Sequence, residues 1–366
     1  MFALARNAMY AACKILGLGP GDEVLTPAFD CDGALQPFTA IGCRTCFFKS
    51  DPLTFAADVE DIRRRITPAT RLIHIVNHFG IPQPWDKLLE LRKSSGIPIL
   101  EDNAYSLFSV HNGRLLGEFG DLSVFSFRKN LPVVDGGMLR INDHSLRFDL
   151  PLAMPVFFSG AEYGHAVNIL KRKLGCYKLP RAVKRLFNES SGVFAPVPLF
   201  SEQEGFPEVL SRDRIPVEFA CDYLRPMSKL AFWQLCQYTE EDLREISEKK
   251  REYYSWLIAE LNGIPGLRPL IPELPEGSVP FCVFLMADGK RDMLYEELSA
   301  KYEVLAWPTF SGKVLARISE FPEVRLLGRK LLQLNLSSDR VRQRDYPDYL
   351  KRLAGDIRLL AERCLR

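Results

Sequence analysis

The feature that most constrains the fold of this chain is an alternation of short apolar runs with amphipathic stretches over residues 1–142. The runs have the length of strands and lie at 23–27, 45–48, 71–76, 97–100, 122–127 and 137–141. Between them, apolar residues recur at helical spacing, as Met9, Ala12, Cys13 and Leu16 do just before Gly17. Strands that alternate with helices predict a mostly parallel, doubly wound sheet covered on both faces, so the fold class is α/β.

The remainder of the chain falls into two parts. Residues from about 143 to 215 contain scattered prolines and, at 171–187, seven Lys or Arg side chains without an acidic one. We interpret this basic run as a solvated helix face, with contact to an anionic substrate or an acidic membrane surface as the alternatives. Beyond it, a helical segment at 239–261 precedes strand-like runs at 279–286 and 302–307 and a closing amphipathic helix. The patterns predict a large domain over 1–238, which includes the insertion, and a small C-terminal α+β domain over 239–366.

Composition excludes several classes of protein. The 366 residues include 48 basic and 46 acidic side chains, and a net charge of +2 gives no reason to expect nucleic acid as a partner. No run reaches the ~18 apolar residues of a membrane span. Nine scattered cysteines predict reduced thiols, and the absence of a recognisable signal peptide favours a cytoplasmic location. We expect no metal site, because Cys43 and Cys46 form a lone pair and the five histidines lack ligand spacing.

The residues with the clearest chemical meaning follow two of the predicted strands. The run IPIL leads into Glu101 and Asp102, and the later run LSVFSF carries Ser126 and leads to Lys129. Ligands of doubly wound sheets bind at the carboxyl ends of the strands, so these side chains are expected at one edge. A lysine, a carboxylate and a hydroxyl at one edge suit pyridoxal phosphate. The residues alone leave two alternatives open, a helix cap at 101–102 and a plain surface lysine.

Four segments together resemble the DegT/StrS-type sugar aminotransferases, which are fold-type I pyridoxal-phosphate enzymes. The segments are PGDEVLTPAF, NHFGIPQP, IPILEDNAYS and GDLSVFSFRKN with the following DGG, in that order, and the resemblance extends over about residues 4–142. It implies an aspartate-aminotransferase-like fold and a homodimer with active sites at its interface. It also implies amino transfer, with glutamate as the donor, to a nucleotide-linked keto-sugar.

The resemblance also assigns roles to individual residues. Lys129 matches the Schiff-base lysine and is followed by Asn130, Asp102 matches the aspartate that pairs with the pyridine nitrogen, and Ser126 matches the phosphate-binding serine. Arg6 and Asn7 fall at the start of the first helix, where the family binds phosphate through backbone N–H groups.

Three further cofactor-binding candidates depart from the family pattern. Tyr105 stands where glutamine is usual near the cofactor's phenolic oxygen, and its hydroxyl is expected to replace that hydrogen bond. Asn77 occupies a common histidine position with His78 beside it. Cys31 stands in the place of the aromatic that stacks on the ring, with Phe29 as its substitute. The few dozen residues that usually precede the first helix are expected to be missing.

Two other functions remain open at this point. One is a different pyridoxal-phosphate reaction on a sugar, such as dehydration, although resembling dehydratases replace the lysine that this sequence retains as Lys129. The other is a non-catalytic relative that acts as a regulator or scaffold, which the three departures and the missing leader keep open. A visible spectrum of the purified protein distinguishes this reading from the enzymes, because only a cofactor-binding protein absorbs there.

Overall fold

The computed structural model describes residues 1–157, 223–289, 291–306, 310, 312–336 and 345–365. The predicted basic run at 171–187 lies outside these ranges. Within them, no helix combines the length and apolar character needed to cross a membrane.

The N-terminal part is built on a six-stranded sheet. Its strands are β1 (Glu23–Pro27), β2 (Arg44–Phe48), β3 (Thr70–Val76), β4 (Ile99–Asn103), β7 (Leu122–Ser126) and β8 (Gly137–Ile141), and a separate hairpin pairs β5 (Val110–His111) with β6 (Arg114–Leu115). The strand order is β2-β1-β3-β4-β7-β8, with β8 antiparallel to β7 and the other pairs parallel. The prediction of a mostly parallel sheet is therefore confirmed.

Helices cover this sheet on both faces, and the strand residues alternate between two cores. The helices are α1 (Ala5–Ile15), α2 (Asp32–Ala40), α3 (Val59–Arg65), α4 (Trp85–Ser95) and the short α5 (Phe127–Asn130). Val24 and Leu72 pack with Met9 of α1, whereas Leu25 and Ile73 pack with Trp85 of α4. Every residue of β1, β4 and β7 is buried, as expected for central strands of a doubly wound sheet.

The C-terminal part forms a smaller antiparallel sheet. Its order is β11-β12-β10-β9, with β9 (Leu267–Pro269), β10 (Cys282–Ala287), β11 (Val304–Leu305) and β12 (Leu331–Asn335). The helix α6 (Lys229–Leu235) packs on residues of the N-terminal part. The helices of the C-terminal part are α7 (Glu240–Leu261), α8 (Arg291–Ser299), α9 (Gly312–Leu315), α10 (Pro322–Lys330) and α11 (Tyr346–Cys364). One core joins the sheet to α7, α8 and α11, and a second joins it to aromatic residues of the N-terminal part. The expected C-terminal α+β architecture is confirmed.

The end of β4 differs from the sequence prediction. The strand continues to Asn103, so Glu101 and Asp102 belong to the sheet and pair with Ile75 and Val76 of β3. The alternative of a helix cap at 101–102 is therefore wrong. Because neighbouring strand residues point to opposite faces, the two carboxylates enter different environments.

Candidate active site

Asp102 is the anchored carboxylate at the carboxyl edge of the sheet. Its Oδ1 accepts a hydrogen bond from the Ala104 N–H at 2.7 Å, and its Oδ2 lies 3.4 Å from Nε2 of the fully buried His74. Nδ1 of His74 is 2.9 Å from the Thr26 hydroxyl, so the chain of contacts crosses β1, β3 and β4. Burial alone would raise the pKa of Asp102, but the hydrogen bond from His74 and the nearby Lys129 ammonium lower it below its usual value. Asp102 is thus held as an oriented anion.

Lys129 lies on α5, immediately after β7, and its side chain reaches the same edge. Its Nζ lies 3.6 Å from the centroid of the Tyr105 ring. Burial lowers the pKa of Lys129, an effect opposed by the negative potential of Cys31, Asp102 and Asp30. Lys129 is half-buried, and an amine with a lowered pKa is a better nucleophile near neutral pH than a fully exposed lysine. The alternative of a plain surface lysine is therefore wrong.

Tyr105 presents the face of its ring to Lys129. The ring is held by Phe79, at a centroid distance of 4.9 Å, and by Phe281 of the C-terminal part, edge-on at 5.0 Å. Only 9% of Tyr105 is exposed, and burial raises the pKa of its hydroxyl well above the usual value. The hydroxyl therefore stays protonated at physiological pH.

Ser126 ends β7 beside the start of α1. In the ladder between β7 and β8 its partner is Gly137, and a Cβ at Gly137 would lie 2.3 Å from the Leu4 carbonyl and 2.5 Å from the Ala5 nitrogen. Only glycine permits this approach of β8 to α1. The helix has no acidic residue in its first turn and no side-chain cap, which suits the binding of an anion there.

The two predicted residues at the start of α1 hold neighbouring segments. Arg6 donates from Nη1 to Gln36 at 2.9 Å, and its other terminal nitrogen and the Cys31 sulfur both lie within 4 Å of the Cβ position of Gly33. Asn7 donates to the Tyr223 carbonyl at 3.0 Å. Arg6 therefore brings a positive charge near Cys31, while Asn7 secures residue 223 against the helix.

Asn130 and Asn77 belong to the framework beneath the site. The Asn130 amide donates to the carbonyls of Ala104 and Ser126, which ties the turn after β4 to the end of β7. The Asn77 amide donates to Glu101 and to Asn103 at 2.9 and 2.8 Å, and its oxygen accepts from two groups of the segment 83–85. Neither amide is directed at Lys129 by these contacts.

Glu101 is the carboxylate on the opposite face from Asp102. It accepts the N–H groups of Gly117, Phe119 and Gly120 at 2.5 to 3.0 Å and the hydroxyl of Ser123 at 3.2 Å. Burial raises its pKa, while these donors oppose the rise. Glu101 therefore shapes the loop before β7 rather than the chemistry at Lys129.

Asp30 and His78 are buried polar residues whose hydrogen-bonding capacity is only partly used. Asp30 Oδ1 accepts from the Cys31 N–H at 2.7 Å, but its Oδ2 and both ring nitrogens of His78 have no partner among the described residues. Burial raises the pKa of Asp30 to about 7 and lowers that of His78 to about 3. Both groups respond electrostatically to Asp102 and Lys129, so they face the same site.

The structure thus brings together Lys129, Asp102, Tyr105 and Cys31, and it adds groups that the sequence prediction missed. Thr26, His74 and Asp30 were read only as parts of strands or loops. The sequence could have indicated them, because each is a polar residue within an otherwise apolar segment. A buried strand rarely carries a histidine without a hydrogen-bonding partner. Phe29, which was predicted as the substitute for the stacking aromatic, packs at 5.1 Å on Phe55 within the aromatic core.

The comparison with solved structures identifies the fold. The chain resembles the aminotransferase TlmJ from Streptoalloteichus hindustanus, with a TM-score of 0.62 and 22% identity over 98% of this chain and 85% of that one. It also resembles 3-amino-5-hydroxybenzoic acid synthase, with a TM-score of 0.63 and 18% identity over 99% and 86% of the two chains. The fold is that of the fold-type I aminotransferases, and the aspartate-aminotransferase-like prediction is confirmed.

The sequence comparison narrows this class. Residues 3–150 match the model of the DegT/DnrJ/EryC1/StrS aminotransferase family, so the predicted resemblance is confirmed over that segment. GDP-perosamine synthase from Escherichia coli O157:H7 is 34% identical over 141 residues, which are 38% of this chain and 39% of that protein. The dTDP-4-dehydro-2,3,6-trideoxy-D-glucose 4-aminotransferase of Saccharopolyspora spinosa is 33% identical over 38% of this chain and 37% of that protein. The match thus spans well under half the length of these curated relatives.

Proposed function

We propose that this protein is a pyridoxal-phosphate-dependent aminotransferase that transfers an amino group to a nucleotide-linked keto-sugar, with glutamate as the donor. The observation that carries the proposal is the meeting, at one sheet edge, of a half-buried lysine, an anchored carboxylate and a serine beside an uncapped helix start. The names of the two relatives described above both contain a nucleotide sugar, which supports this class of substrate.

The residues present fit the cofactor. Its aldehyde, ring nitrogen and phosphate call for an amine, an anion and a set of N–H or O–H donors, and Lys129, Asp102 and Ser126 with the start of α1 supply these in one place. The unpartnered atoms of Asp30 and His78 support the same conclusion, since a buried polar atom without a partner costs about 1–3 kcal/mol unless a ligand satisfies it.

Each side chain then has a definite task. When bound, pyridoxal phosphate supplies an aldehyde that reacts with amines and a protonated ring that withdraws electrons. Lys129 would hold the cofactor through Nζ, and its amine would move the proton at the reacting carbon. Asp102 favours a proton on the ring nitrogen because an opposite charge at short range stabilises it. Ser126, Arg6 and the start of α1 bind the phosphate.

The wider proposal includes the assembly and setting implied by the family. We infer a homodimer in the cytoplasm, whose small-molecule substrates are an amino acid and a nucleotide sugar used in polysaccharide or lipopolysaccharide synthesis. A large domain over 1–238 and a small one over 239–366 are proposed to enclose the site, which agrees with the position of Phe281 against Tyr105.

The test is a screen of amino donors against keto-sugars on different nucleotides, with mass spectrometry of the sugar product. We expect an amino-sugar that is heavier than the keto-sugar, because an amino group and a hydrogen replace the carbonyl oxygen, and no product from Lys129→Ala. The exposed Lys93→Ala is the matched control and should retain activity. Transamination by the Lys129→Ala protein would contradict the assignment.

One relative favours a second candidate function. The "Pleiotropic regulatory protein" of Geobacillus stearothermophilus is 32% identical over 143 residues, 38% of this chain and 38% of that protein. A non-catalytic regulatory role predicts that the purified protein develops no visible cofactor band after incubation with pyridoxal phosphate. The aminotransferase proposal predicts that the band appears.

A further inference from the structure

The contact between Tyr105 and Lys129 gives the site an electrostatic feature that the family pattern does not contain. Nζ of Lys129 lies 3.6 Å from the centre of the Tyr105 ring, inside the ~6 Å range over which an aromatic face attracts a cation. The aromatic ring carries negative potential on its face, so it stabilises positive charge on the nitrogen above it.

The position of the ring is fixed by its surroundings. Phe79 lies against it at 4.9 Å from the N-terminal part, and Phe281 meets it edge-on at 5.0 Å from the C-terminal part. Tyr105 follows Ala104, whose N–H is bound to Asp102 and whose carbonyl accepts from Asn130. A ring held on both sides and through its backbone cannot turn away from Lys129 without disturbing the core.

We propose that Tyr105 acts through its ring face, as a cation–π partner that favours the positively charged form of the Lys129 nitrogen and so opposes the effect of burial, and not through its hydroxyl. This inference rests on the proposed function, because it concerns the nitrogen that would carry pyridoxal phosphate. It reassigns Tyr105 from a hydrogen-bond donor that replaces glutamine to an aromatic neighbour of the lysine.

Other charged or titratable groups face the same nitrogen and must be held constant. Asp102 approaches from β4, Asp30 and Cys31 from the loop after β1, His78 from the segment after β3, and Arg128 from α5 itself. Substitution of Tyr105 leaves all five in place. A difference in the apparent pKa of the Lys129 nitrogen between Tyr105 variants therefore measures the effect of the Tyr105 ring.

The experiment is a pH titration of the visible absorption band of protein loaded with pyridoxal phosphate, which measures ionisation at the Lys129 nitrogen without turnover. Tyr105→Leu removes the ring face and should lower the apparent pKa by roughly half a unit to one and a half units. Tyr105→Phe keeps the face and removes only the hydroxyl, so its pKa should stay within about 0.3 unit of the wild type.

A control separates the ring's charge effect from general loosening of the aromatic core. Phe281→Leu removes a ring that packs on Tyr105 but leaves the Tyr105 face and Phe79 in place, so it should lower the pKa by less than Tyr105→Leu does. A fall in Tyr105→Phe equal to that in Tyr105→Leu would show that the hydroxyl matters and would overturn the inference. An unchanged Tyr105→Leu would also overturn it, while the proposed function would stand. A wild type that never develops the band would contradict both.

Discussion

Gly137 lies where β8 touches the start of α1, and its replacement by alanine is the most informative single change in the framework. The added Cβ would lie 2.3 Å from the carbon and oxygen of the Leu4 carbonyl and 2.5 Å from the Ala5 nitrogen. Ordinary contacts begin near 3.4 Å, so the two backbones must separate by about 1 Å. The start of α1 would then move away from Ser126.

The size of the effect follows from the contacts that this movement breaks. Backbone hydrogen bonds join Phe2 to Gly137 in both directions at 2.8 and 2.7 Å, and Gly136 donates to Ala3 at 2.7 Å. At about 1 kcal/mol for each bond, together with the strain of overpacking, the loss is about 4 kcal/mol of unfolding free energy. The affinity for pyridoxal phosphate should fall as well, because the proposed phosphate site is split.

Urea unfolding followed by circular dichroism measures the first effect, and a visible titration with pyridoxal phosphate measures the second. Gly355→Ala is the matched control, since nothing lies within 4 Å of its Cβ position in the exposed part of α11. It should stabilise the helix by about 0.5–1 kcal/mol. If Gly137→Ala unfolded within about 0.5 kcal/mol of the wild type and bound the cofactor equally well, the reasoning would be refuted.

Two further predictions concern the buried carboxylates. Glu101→Gln places an amide NH2 group against backbone N–H groups, so it should lower the unfolding free energy, measured in urea, by about 2–4 kcal/mol. The control Glu90→Gln is exposed and should unfold within about 0.5 kcal/mol of the wild type. Equal effects of the two substitutions would contradict the role given to Glu101. Asp30 has its pKa raised to about 7 in the fold, so its favourable contribution is complete at low pH and is lost as pH rises through 7. The unfolding free energy of Asp30→Asn, relative to that of the wild type, should therefore increase between about pH 4 and about pH 8 by up to about 4 kcal/mol. A difference that does not depend on pH would be incompatible with a buried Asp30 that titrates in this range.

The strands and the lysine were predictable from the sequence because their signals are local. A short apolar run such as 23–27 or 137–141 predicts a strand of an α/β sheet, and β1 and β8 lie at those residues. The lysine and Asp102 follow such runs, and the carboxyl ends of strands meet at one edge whatever the details of packing.

The support beneath these residues was not predictable in the same way. Asn77 was expected at the cofactor, but its amide donates to Glu101 and Asn103. The alternation of side chains along neighbouring strands directs it toward these two residues, which support the site from below. The link from Thr26 through His74 to Asp102 joins residues distant in sequence on three strands, and no local pattern marks it. Only the order β1-β3-β4 makes them neighbours.

The proposed function depends most directly on where pyridoxal phosphate attaches. The measurement is borohydride reduction of the protein incubated with pyridoxal phosphate, followed by proteolysis and mass spectrometry of the modified peptides. If Lys129 holds the cofactor, a single stoichiometric modification appears at Lys129, is lost in Lys129→Ala and is retained in Lys93→Ala. Labelling spread over exposed lysines, or equal labelling of the Lys129→Ala protein, would contradict the proposed function.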